Sequence, residues 1–125
     1  MYFTKDLAEY ICNNLLTLKM GDNMYVDFTP ESPDNVAVLT EYGGVPLGDE
    51  TNTAFRRVQV KVRNIRHIEA KKLIFEIYRL FKEDAIDLAG LPCPVEILNT
   101  PVKIDIDKNN RFCYAFNVVI TVLRR

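Results

Sequence analysis

Residues 55–81 read FRRVQVKVRNIRHIEAKKLIFEIYRLF, and the change of period within them sets the architecture. Its first half alternates strictly. Val58, Val60 and Val62 point one way, and Arg57, Gln59, Lys61 and Arg63 point the other, the period of a half-buried strand. The second half changes period. Ala70, Leu73, Ile74, Ile77 and Phe81 recur at three and four residues and make one apolar stripe of a helix running from Ile65 to about Asp84, with Asn64 placed to cap it. The opposite side carries Glu69, Lys72, Glu76, Arg79 and Glu83, spaced for modest pairing of about 0.2–0.5 kcal/mol each. A strand wet on one face that feeds an amphipathic helix predicts a sheet covered on one side by helices.

Working outward, residues 4–18 predict a helix capped by Thr4, with Leu7, Ile11, Leu15 and Leu18 on its apolar side and Gly21 beyond its end. Asn23–Phe28 and Val36–Tyr42 predict strands separated by the turn-rich TPESPDN. On the C-terminal side, Ala85–Thr100 is irregular, because Gly90, Pro92 and Pro94 argue against a continuous helix or central strand. Val102–Ile106 predicts a short strand, Asp107–Asn110 a turn, and Arg111–Leu123 a long strand with Phe112, Tyr114, Phe116, Val118, Ile120 and Val122 facing the core. The expectation is one α+β domain over residues 1–125. It has a mostly antiparallel sheet of about five strands, two helices on one face, and the order α-β-β-β-α-β-β. The other face, with Tyr25, Asp27, Arg57, Gln59, Lys61, Arg63, Lys103, Asp105, Asn117 and Thr121, is expected to be open and polar.

The chain has 125 residues, 48% hydrophobic and 26% charged, which suits one globular domain burying roughly two-thirds of its unfolded surface. A net charge of −1 supplies no global attraction to nucleic acid or to a membrane. No apolar run approaches the ~20 residues of a membrane span. The start of the chain, with Asp6 and Glu9, lacks the pattern of a signal peptide, so a cytoplasmic protein or a particle assembled there is expected.

Catalytic patterns are missing from the sequence. His67 is the only histidine and Ser32 the only serine, the latter inside a proline-flanked turn, so neither a triad nor a histidine-activated nucleophile can be assembled. Cys12, Cys93 and Cys113 are scattered and read as small apolar residues. Gly43-Gly44 lacks a phosphate-loop context. Asp105 and Asp107 share a strand face and read as a solvated strand end rather than a cation site. The expectation is no enzyme, no metal and no cofactor.

Two features remain. The first is a long loop at about 43–54, where Val45, Pro46 and Leu47 adjoin Asp49 and Glu50; an apolar and acidic loop suits docking on a neighbouring subunit, with a merely floppy loop as the alternative. The second is the basic run Arg56, Arg57, Lys61, Arg63 and Arg66. It reads as the wet face of a strand, with a small non-specific nucleic-acid-binding module using residues 56–66 as the alternative.

Three stretches carry a family resemblance: LAEYICNNLLTL (7–18), VQVKVRNIRHIEAKKLIFEIYRLF (58–81) and IDIDKNNRFCYAFNVVITV (104–122). Together they resemble the tail terminator proteins of long-tailed bacteriophages, also labelled minor capsid or tail completion proteins. The resemblance implies a structural protein of phage or prophage, assembled in the bacterial cytoplasm and resident at the head–tail junction of the virion. It implies a homo-oligomeric ring, usually of six copies, that caps the tail tube, stops its growth and offers a docking surface to the head. Its partners would be other copies of itself, tail tube and head-completion proteins, and DNA in the channel without sequence preference. No membrane is implied. The resemblance places Val45, Leu47, Asp49 and Glu50 in a loop that touches neighbours or the tube, and Arg57, Lys61 and Arg63 at the channel or a subunit interface. It assigns no role to LAGLPCPVEILN (88–99).

Overall fold

The computed structural model describes residues 3–46 and 53–123. The elements are α1 (Phe3–Asn14), β1 (Met24–Val26), β2 (Val36–Pro46), β3 (Thr53–Asn64), α2 (His67–Leu80), β4 (Ala85–Leu88), β5 (Leu91–Ile97), β6 (Val102–Ile106) and β7 (Phe112–Leu123). The α+β class is as expected, with seven strands among the described residues rather than about five. The strand order is β1-β2-β3-β7-β5-β4, and β6 also pairs with β7. The β1–β2 pair is parallel and the others are antiparallel.

β7 is the spine. β3 runs along one of its edges from Thr53 opposite Leu123 to Asn64 opposite Phe112. Two strands share the other edge: β6 pairs with Phe112–Ala115 and β5 with Val118–Ile120. At the junction the Asn99 side chain stands in for a strand. Its Oδ1 accepts from the Asn117 amide at 3.0 Å and from Asn117 Nδ2 at 2.9 Å.

α2 packs on β3 and β7, while α1 packs on β1, β2 and β4. Because β1 and β4 end the strand order on opposite sides, the sheet must curl around α1 for both to reach it. The core between helices and sheet holds Leu7, Ile11, Val58, Val60, Val62, Ile74, Ile77, Phe81, Phe116 and Ile120. Each fully buried large aliphatic side chain contributes about 1.5–3 kcal/mol.

Several boundaries differ from the sequence reading. α1 stops at Asn14, not Leu18, because Asn23 holds the following loop: Oδ1 accepts from the Lys19 amide at 2.7 Å and Nδ2 donates to the Thr17 carbonyl at 2.9 Å. Leu18 stays buried although it is not helical. α2 starts at His67 after Arg66; Asn64 does not cap it but accepts from the Arg66 amide in a tight turn one step earlier. The expected 43–54 loop is strand at both ends. Gly44, Val45 and Pro46 pair with Arg56, Phe55 and Ala54, after a bulge that places one extra residue in β2 and Gly43 at φ 104°. Residues 47–52 lie outside the described residues.

The largest correction concerns 85–100, which forms the β4–β5 hairpin. Ala89 (φ 53°) and Gly90 (φ 84°) both take left-handed conformations, as a two-residue turn of this hand requires. Pro92 and Pro94 are tolerated by their direction. The Val95 amide donates to Asp84 on the β4 side, so the alternate prolines lack amides only on the side away from β4, before β5 joins β7 at Val95.

Candidate interaction surfaces

The sheet face away from the helices is not uniformly open. Towards the β1–β6 end, Val36, Val38, Cys113 and Ala115 are buried there, as is Pro30 in the segment before β2. Arg63, 4% exposed, donates from Nε to the Asp34 carbonyl (3.1 Å) and from Nη2 to those of Pro33 (2.7 Å) and Glu31 (3.4 Å). Arg111, 3% exposed, donates to Asp107 Oδ2 (2.7 Å), the Glu31 carbonyl (2.7 Å) and Asp34 Oδ1 (3.3 Å). Two buried guanidiniums thus clamp residues 31–34 onto the sheet. Asp107 also caps its own turn, accepting from the Asn109 and Arg111 amides. Burial works to raise its pKa, but the Arg111 amide and guanidinium and the Asn109 amide outweigh burial and hold the carboxyl below its ordinary value. Asp107 is therefore committed to Arg111.

The same strand shows how the basic run is divided. Arg56 lies on the helix side, donating to both carboxylate oxygens of Glu41 and lying 4.6 Å from the Phe3 ring centre. The Glu41 hydrogen bonds raise the pKa of the Arg56 guanidinium further and keep it charged. Lys61 Nζ donates to Thr29 Oγ1 at 3.3 Å. Arg57 is exposed and lines a shallow groove of about 380 Å3 with Tyr42, Phe55, Glu96, Leu98 and Val119. Of the residues expected to interact, Arg57 and Lys61 share the open part of this face, while Arg63 is an internal clamp. Val45 sits in β2 opposite Phe55; Leu47, Asp49 and Glu50 lie outside the described residues.

Sequence reasoning missed the outer side of α2. His67, Ile68, Lys71, Lys72, Phe75, Glu76 and Arg79 line a groove of about 780 Å3. Ile68 is 76% exposed there, with three cations and one carboxylate among the described lining residues. Ile68 falls on the polar side of the helical wheel, and an apolar residue there was the available signal. His67 is engaged at the end of this groove: Nε2 meets the Tyr114 hydroxyl, and the ring packs at 4.9 Å from Phe112 and 5.7 Å from Tyr114. Phe28 is 62% exposed on the clamped segment, with its ring edge-on to Tyr25 at 6.3 Å. Val102, Ile104 and Ile106 of β6 are also exposed. Cys93 and Cys113 are buried, and burial pushes their thiols above the ordinary range, which disfavours the reactive thiolate.

These surfaces offer apolar side chains ringed by charge, the makeup of protein contacts. A family model described as bacteriophage tail terminator protein matches residues 12–124. One solved structure superposes with a TM-score of 0.58, covering 98% of this chain and 92% of that one at 14% sequence identity, a likeness of fold. None of the curated proteins matches.

Proposed function

This chain belongs to the bacteriophage tail terminator family, and from that premise we propose that its copies close a ring on the end of the tail tube. Family membership makes it a structural component of the virion tail. In the proposed role the ring, of six copies, ends tube growth and presents the surface on which the head docks, placing the protein at the head–tail junction. The observation that carries the reading, beside the family match, is the exposure of Ile68, Val102, Ile104 and Ile106 around α2 and β6. Exposed large apolar side chains gathered on one short element, three of them within β6, suit cover by a protein neighbour. The nucleic-acid alternative has lost support, because Arg56 and Arg63 are occupied inside the chain. Arg57 and Lys61 remain as the cations suited to border a DNA channel.

Mass measurement in solution, alone and with tail tube protein, tests the proposal. The expected species is a closed multiple of the 14.4 kDa chain that binds tube ends. A strict monomer indifferent to tube and neck proteins would refute it.

A further inference from the structure

We infer that neighbouring copies join by seating the Phe28 corner of one chain in the α2 groove of the next, an assignment that rests on the ring reading. The two surfaces are complementary in kind. The groove carries Ile68 and Phe75 within a setting of Lys71, Lys72 and Arg79, with Glu76 as the one carboxylate among the described residues. The corner carries Phe28 beside Asp27, Glu31 and Asp34, all exposed; Glu31 and Asp34 each also meet Arg111, at 3.5 and 3.3 Å, and keep an open side towards solvent. An apolar side chain with carboxylates beside it thus meets an apolar helix face with cations beside it, a match of charge that steers encounter and fixes register. The corner is also pre-set. Arg63 and Arg111 hold the carbonyls of Glu31, Pro33 and Asp34, so little ordering is left to offset on docking.

Position supplies the second argument. α2 lies on the core side of β3 and β7, with Val58, Val60 and Val62 beneath it. The Phe28 corner lies on the other side: Lys61 and Arg63 reach it from the far face of β3, and Phe28 packs on Tyr25, which alternates with the core residue Met24. A contact between unlike patches on opposite faces cannot be completed by two copies about a two-fold axis. It must propagate from copy to copy and either close as a ring or run on as a filament. The buried arginines of the far face thereby gain a purpose in assembly, as positioning residues for the corner.

The test uses the full chain with three substitutions at exposed sites, Phe28→Asp, Ile68→Asp and Leu16→Asp, the last 82% exposed and outside both patches. Circular dichroism checks folding and sedimentation velocity reads assembly. Phe28→Asp and Ile68→Asp should each weaken self-association about thirty-fold or more, the scale of a lost interface anchor. Leu16→Asp should assemble like the wild type. An equimolar mixture of the two defective chains should form a one-to-one pair and stop there, because one still has a groove and the other a corner. Lys72→Glu reads the groove independently if Ile68→Asp fails to fold, and should weaken assembly likewise. Rings that persist in the Phe28 and Ile68 variants, a mixture that stays monomeric, or a Leu16→Asp chain that dissociates equally would each overturn the assignment while leaving the ring reading standing. A wild-type chain that stays monomeric even with tube protein overturns both.

Discussion

Arg57 and Arg63 stand on the same side of one strand, yet one lies at the surface and the other beneath a loop. A buried guanidinium is tolerated only when its donors are satisfied, and three backbone carbonyls do this for Arg63. Arg63→Ala should therefore cost about 2–4 kcal/mol in chemical denaturation. Arg57→Ala should change stability by less than about 0.5 kcal/mol. Equal effects would contradict the division of the strand into clamp and surface. Asp107 gives a pH signature. Its carboxyl is depressed in the folded chain, so the unfolded chain binds the proton more readily, and the stabilisation is present above the ordinary value and fades as pH falls through the folded one. The stability gap between the wild type and Asp107→Asn should be open at neutral pH and close below about pH 4. A gap that stays constant down to pH 2 would mean that the Arg111 pairing does not govern Asp107.

At the scale of elements, the β4–β5 turn is the informative case. A left-handed pair is usually written Asn-Gly or Asp-Gly, and here it is Ala89-Gly90. A side chain with a Cβ pays roughly 1–2 kcal/mol in that conformation. Ala89→Gly should raise the thermal midpoint by about 3–5 °C, most of that strain being relieved against a looser unfolded chain. A lowered midpoint would show that Ala89 is not held left-handed. The same turn explains why 85–100 was illegible in the sequence, since neither the turn residues nor two prolines in one strand announce a hairpin. By contrast β3, α2 and β7 were legible because their periods of two and 3.6 run unbroken over a dozen residues.

At the scale of the molecule, both helices belong to one core, joined where the Tyr10 hydroxyl donates to the Leu80 carbonyl and the Tyr10 ring meets Phe81 edge-on. Burial, with Glu83 nearby, raises the Tyr10 phenol above its ordinary range, which keeps it a donor. Ile11→Ala in α1 and Ile74→Ala in α2 should each cost about 2–5 kcal/mol and shift one and the same unfolding transition. Separate transitions for the two variants would divide the core in two. Assembly is also a property of this scale, because the unlike surfaces that it needs lie on opposite faces of a single sheet.

The class of fold, the core-facing sides of β3 and β7 and the family texture were legible in the chain, because these rest on local periodicity that any environment must respect. That Arg63 turns inward, that the Asn99 side chain pairs with Asn117 between the two strands sharing one edge, and that Phe28 faces outward emerged only on folding. The first two depend on partners 30 and 18 residues away and the third on a solvent boundary, and neither distance along the chain nor residue type carries that information.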